Sequence, residues 1–139
     1  MKIIFFCLLI TISIIDILYK IIPDCLSLPG IIIGILLNTF SNTGCGFKQT
    51  ILGILIEGGI FLIVACISQG GVGGGDIKLA AMIGSFAGLD KVLLIIPICI
   101  IVGVGFDLLR KIFGWHTQDD SLPFAPFLSL GTLIYLYCF

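Results

Sequence analysis

Charged residues make up only 11% of this 139-residue chain, against 59% hydrophobic. Soluble domains are ordinarily about 25% charged and about 45–50% apolar. A chain this short also leaves a large share of its surface in contact with solvent. A water-soluble globule is thereby excluded, and lipid is the solvent that fits. Seven Lys and Arg against eight Asp and Glu leave a net charge of −1. No basic patch of the kind that phosphate binding needs is present, so nucleic acid is excluded as a partner. The sole histidine, His116, falls in a polar gap beside Trp115, Gln118 and Asp119. It reads as a solvated loop residue, and no Ser/His/Asp set can be assembled around it. Six cysteines are present (Cys7, Cys25, Cys45, Cys66, Cys99 and Cys138), but none forms a CxxC pair. Their spacing fits neither a zinc site nor a redox pair, and they read as small hydrophobes. A small-residue cleavage pattern is also lacking after the first apolar run, which argues against a signal peptide.

What is abundant is Ile, Leu and Phe in long runs broken by short polar gaps. The runs predict spans near 3–18, 28–40, 51–67, 77–90, 92–109 and 122–139. Continuous apolar runs favour helices over a barrel, whose strands alternate in polarity. The expected architecture is an all-α polytopic membrane protein with six transmembrane helices in one domain, 1–139. Several runs fall below the roughly 20 residues a span ordinarily needs, which predicts short helices that thin the bilayer locally. Six spans put both termini on one side. Lys20, Lys78, Arg110 and Lys111 then share one face, and Lys2, Lys48 and Lys91 the other. Positive charge favours the cytoplasm, so both termini are expected outside.

In so apolar a chain each charged group in or near hydrocarbon is a functional candidate. Asp16 ends the first span, and Asp76 opens the fourth after the run Gly-Gly-Val-Gly-Gly-Gly. The six-span topology brings both to the same membrane face. Two carboxyls that meet in a low-dielectric site do not easily both ionise, so one holds a proton while the other is a base. Such a pair can activate water and protonate the attacked carbonyl oxygen, which is what peptide hydrolysis requires. The residues alone leave a second reading open, in which the pair handles protons or cations in a small transport component. A third is a non-enzymatic assembly protein. The glycines before Asp76, notably Gly73 and Gly75, remove the Cβ obstacle to close approach of another backbone. Pro123 and Pro126 mark the entry to the last span. Glu57 in mid-span, if buried, is neutral or hydrogen-bonded, and Asp107 lies one turn before Arg110. Both rank behind the aspartate pair.

Three segments together resemble one family: DILYKIIPDCLSLP (16–29), GGGDIKLAAMIG (73–84) and LPFAPFLSLG (122–131). In order and separation they are similar to the type IV prepilin peptidases, which are GxGD intramembrane aspartyl proteases. The resemblance covers about Asp16 to Gly131. It implies that Asp16 and Asp76 are the catalytic aspartates. It also implies that Lys20, Pro23, Gly73, Gly75, Lys78, Pro123 and Pro126 shape the site or bind substrate, and that no metal or other cofactor is needed. The implied substrate is a prepilin or pilin-like protein, whose short basic leader is removed at the cytoplasmic face of the cytoplasmic membrane. Longer bacterial members carry an added N-terminal part with paired CxxC motifs and methylate the new N-terminus. Without such motifs in this sequence, peptidase activity alone is expected. Glu57 stands where an apolar or small residue fits the pattern.

Overall fold

The computed structural model describes residues 2–41, 44–67, 73–112 and 125–138. Among these the chain is all-α, with six helices: α1 (Lys2–Tyr19), α2 (Asp24–Phe40), α3 (Phe47–Ile67), α4 (Gly74–Ala87), α5 (Leu89–Ile112) and α6 (Ala125–Cys138). Each predicted span corresponds to one helix. One of them, Phe47–Ile67, is long and apolar enough by itself to cross a membrane. Ile3–Tyr19, Asp24–Phe40 and Ala125–Tyr135 are shorter apolar helices.

Several boundaries differ from expectation by three or four residues, α3 for one beginning at Phe47 instead of 51, and two of the shifts have a clear cause. The second helix starts at Asp24 instead of 28. Pro23 takes the N-cap position with extended backbone (φ −72°, ψ 127°), and Asp24 lies in the first turn, where a negative charge complements the helix dipole. The fourth helix ends at Ala87, and the break falls on Gly88 instead of the Leu89–Lys91 turn. Gly88 adopts φ +73°, and a Cβ there would collide with Cys45. Only glycine meets both demands.

α4 lies at the centre. It packs against α2, α3, α5 and α6, while α1 rests on α6 and α2. Nearly every α4 side chain from Leu79 to Ala87 is buried. Small residues let its neighbours approach closely. Gly30 of α2 faces Met82, and Gly34 faces Ser85 and Phe86. Gly53 of α3 lies against the backbone of Gly84. Asn38 Nδ2 donates to the carbonyls of Ser85 (2.7 Å) and Phe86 (3.1 Å), satisfying groups near the α4 C-terminus that have no partner within the helix.

Polar side chains sit inside and branched aliphatic ones outside. Asn38, Thr50, Glu57, Ser85, Ser129 and Thr132 are buried, whereas Ile3, Ile17, Ile32, Leu55, Ile63 and Ile101 are exposed. Small residues at helix contacts, hydroxyls and amides within, and an apolar coat are what helix packing in lipid uses.

Candidate active site

The inward face of α1 carries Phe5, Leu9, Ile12 and Asp16, all buried. Their spacing follows one stripe of a helix, so Asp16 is held inward by the same periodicity that builds the core. Only 5% of Asp16 is exposed. Its Oδ2 accepts the backbone N–H of Ala125 at 3.1 Å, the first residue of α6. A helix N-terminus offers unpaired N–H donors and a partial positive charge, and here both are directed at a carboxyl group.

Asp76 occupies the first turn of α4 and is 8% exposed. Its backbone N–H donates to the Gly73 carbonyl at 3.1 Å, and its Oδ2 accepts the Gly73 N–H, also at 3.1 Å. This is the side-chain half of a capping box, which fixes the carboxyl beside the helix start. Both carboxyls lie at the same end of the bundle, where Ile22, six residues after Asp16, packs against Gly75, the residue before Asp76. Three elements, α1, α4 and α6, thus converge on two buried carboxyls.

The other sequence-predicted residues divide into three groups. Gly73 is exposed, and among the described residues a Cβ there would meet nothing nearer than Asp76 Oδ2, at 3.5 Å. A Cβ on Gly75 would lie 2.8 Å from Ile22 Cβ. Ile22 fills that space, so of the two roles expected of Gly75 this contact favours shaping the site over admitting a substrate backbone. Lys78 Nζ donates to Asp24 Oδ2 at 2.6 Å and so ties α4 to the start of α2. Lys20 ends α1 with φ +53°, and its N–H donates to the Asp16 carbonyl at 2.8 Å. Pro23 opens α2, its carbonyl accepting the N–H groups of Leu26 and Ser27. Pro126 lies in the first turn of α6, where its carbonyl accepts the Ser129 hydroxyl at 3.0 Å. Pro123, His116 and the Asp107 side chain lie outside the described residues.

Sequence reasoning did not single out Ala125, Asp24 or Ile22. Ala125 has no chemistry of its own, and its role comes from a backbone N–H. Asp24 and Ile22 matter through partners more than fifty positions away. A further contact fastens α6 to α1 one turn from Asp16, where the Ser13 and Ser129 hydroxyls are 2.6 Å apart. Glu57 is fully buried midway along α3, and among the described residues neither carboxyl oxygen has a hydrogen-bond partner.

Residues 3–108 match the model of the type IV leader peptidase family. The chain is 30% identical over 139 residues to a prepilin leader peptidase/N-methyltransferase of Bacillus subtilis, covering 97% of this chain and 54% of that protein. It is 28% identical over 138 residues to the protein of the same name from Escherichia coli, with 95% and 60% covered. A Xanthomonas campestris relative of that name is 30% identical over 131 residues, with 90% and 45% covered. The chain thus spans roughly half the length of these relatives. No solved structure matches. With most of its length matched by the family model and its two buried aspartates inside the matched region, the chain belongs to the type IV leader peptidase family.

Proposed function

We propose that this chain is an intramembrane aspartyl endopeptidase that removes the basic leader peptide from type IV prepilins or pilin-like proteins. The observation that supports this reading is the burial of two carboxyls, Asp16 and Asp76, on segments that pack together through Ile22 and Gly75 at one end of the bundle. Family membership supports the peptidase class, and the relatives' names supply the prepilin. The N-methyltransferase in those names belongs to the longer proteins.

In this reading the chain forms one domain embedded in the cytoplasmic membrane. The apolar coat supports that placement. The 21 residues of α3 reach about 31 Å at 1.5 Å per residue, enough for a hydrocarbon core of about 30 Å. Six crossings place both termini outside and the aspartates at the cytoplasmic face, the side that Lys20 and Lys78 favour.

The chemistry needs one carboxylate and one carboxylic acid. The carboxylate takes a proton from water as the water oxygen attacks the scissile carbonyl carbon. The acid gives its proton to the carbonyl oxygen, forming a tetrahedral diol. Collapse of the diol breaks the C–N bond, with the departing nitrogen receiving a proton from the pair. Burial strengthens each charge interaction and keeps bulk water away. Gly73 lacks a Cβ that would lie 3.5 Å from Asp76 Oδ2, which lets an unwound substrate backbone come close to that carboxyl.

Co-expression with a prepilin of the same genome tests the reading, with leader removal followed by gel shift and mass spectrometry. Cleavage by the wild type but not by Asp16→Asn or Asp76→Asn is expected. Cleavage by all three would remove the aspartates from the mechanism.

A further inference from the structure

Asp16 and Asp76 belong to helices with little direct interface at this end of the bundle. α1 packs on α6 and α2, and α4 on α2, α3, α5 and α6. Beyond the Phe5–Phe86 stack at the far end, what fixes the two carboxyls relative to one another runs through intermediaries at this end. One is the Ala125 N–H at the start of α6. The other is the connection from α1 to α2, which leaves Asp16 and comes back onto α4.

That connection is fastened on both sides of Asp76. Lys20 turns the chain at the end of α1 through a left-handed residue, its N–H bonded to the Asp16 carbonyl. Ile22 then packs against Gly75, the residue before Asp76, in space that any side chain on Gly75 would occupy. Pro23 opens α2, and Asp24 in its first turn holds Lys78, two residues beyond Asp76, at 2.6 Å. The segment that carries Asp16 into α2 is thus pinned to the helical turn that carries Asp76.

Resting on the aspartyl reading above, we propose that the Asp24–Lys78 ion pair is the polar half of a clasp, with Ile22–Gly75 the apolar half, that sets the separation of the catalytic carboxyls. Asp24 and Lys78 are positioning residues in this scheme and do not touch the reacting atoms. The side chains of Lys78 and Asp24 are 40% and 57% exposed, and exposed pairs add little to global stability. Reactivity is a more sensitive reporter, because a misplacement of about 1 Å can cost about 100-fold in rate. The clasp therefore predicts lost turnover without lost folding.

The test uses the full chain in proteoliposomes with a purified prepilin from the same genome. Asp24→Asn, Lys78→Gln, the double variant and Lys78→Arg are compared with wild type, and Asp76→Asn is run alongside. Each neutralising single variant is expected to lower kcat by about tenfold with KM within about twofold, a positional loss well inside the 100-fold range. The double variant should fall no further than either single, as coupled partners do. Lys78→Arg, which keeps the pair, should stay within about twofold of wild type by the same coupling. Wild-type kcat should also fall between 0.1 and 1 M salt, where the screening length shrinks from about 10 to about 3 Å. Asp24→Asn should not respond. Singles with unchanged kcat, a rise in KM alone, independent losses in the double, or a salt response retained in Asp24→Asn would each overturn the clasp. Turnover by Asp76→Asn would instead overturn the aspartyl reading, so the two failures are distinguishable.

Discussion

Phe5 of α1 stacks on Phe86 of α4, with ring centroids 4.5 Å apart and planes 19° from parallel. Asp16 follows Phe5 by eleven residues, and Asp76 precedes Phe86 by ten. At 1.5 Å per residue these are about 16 and about 15 Å. The helices run in opposite directions, so one aromatic contact at the far end matches their registers for the aspartates at the near end.

Phe5→Ala should lower the unfolding free energy in detergent by about 2 kcal/mol. The cavity term of a core truncation remains in lipid, whereas the transfer term largely cancels because the surrounding solvent is itself apolar. Phe5→Leu should lose less. Thermal unfolding of both variants checks this, and equal stability for Phe5→Ala and wild type would argue against a packed register contact.

Ala125 acts through its N–H alone. Ala125→Pro deletes that donor at a helix start, where proline is otherwise tolerated. A hydrogen bond to a charged group contributes about 1.5–3 kcal/mol, so kcat/KM should fall at least about tenfold. Ala125→Gly keeps the N–H and should stay near wild type. Equal activity of the two variants would show that the donor does not matter.

Gly84 and Gly53 bring the α3 and α4 backbones into contact. A Cβ on Gly84 would lie 2.7 Å from the Gly53 carbonyl carbon and 3.0 Å from the Ile54 nitrogen. Backbone atoms cannot move aside as a flexible side chain can. Gly84→Ala should destabilise by about 1–3 kcal/mol through overpacking. Gly59→Ala is the control, since a Cβ there meets nothing within 4 Å. It should be neutral or stabilising by about 0.5–1 kcal/mol.

Glu57 has no role in the proposed cleavage. Its two buried oxygens have no partner among the described residues, and an unsatisfied buried polar group costs about 1–3 kcal/mol. Glu57→Leu should raise thermal stability and leave cleavage unchanged. Lost cleavage with a raised melting temperature would give this carboxyl a function.

Much of the fold was legible because apolar runs and polar gaps mark helices directly. The spacing of Phe5, Leu9, Ile12 and Asp16 also aims the aspartate inward. Asp76 was legible as a charge at a helix start after glycines. Less visible was anything set by distant partners. For Gly75 and Lys78 the sequence left substrate binding and site shaping open, and only their contacts with Ile22 and Asp24 show what they touch in the fold. Helix starts were misjudged by three or four residues, at α2 because Pro23 served as the cap and at α3 because its first turn, Phe47 to Thr50, is polar enough to read as a gap. The end of α4 was misjudged because Gly88 is required by Cys45, a residue far away in sequence.

The central claim is that Asp16 and Asp76 act as one unit. Single-turnover cleavage of a purified prepilin tests it most directly, comparing Asp16→Asn, Asp76→Asn and the double variant. Groups that act together lose their effect together, so either single variant should abolish cleavage as fully as the double. A single variant that keeps substantial cleavage, or losses that multiply independently in the double, would contradict the account.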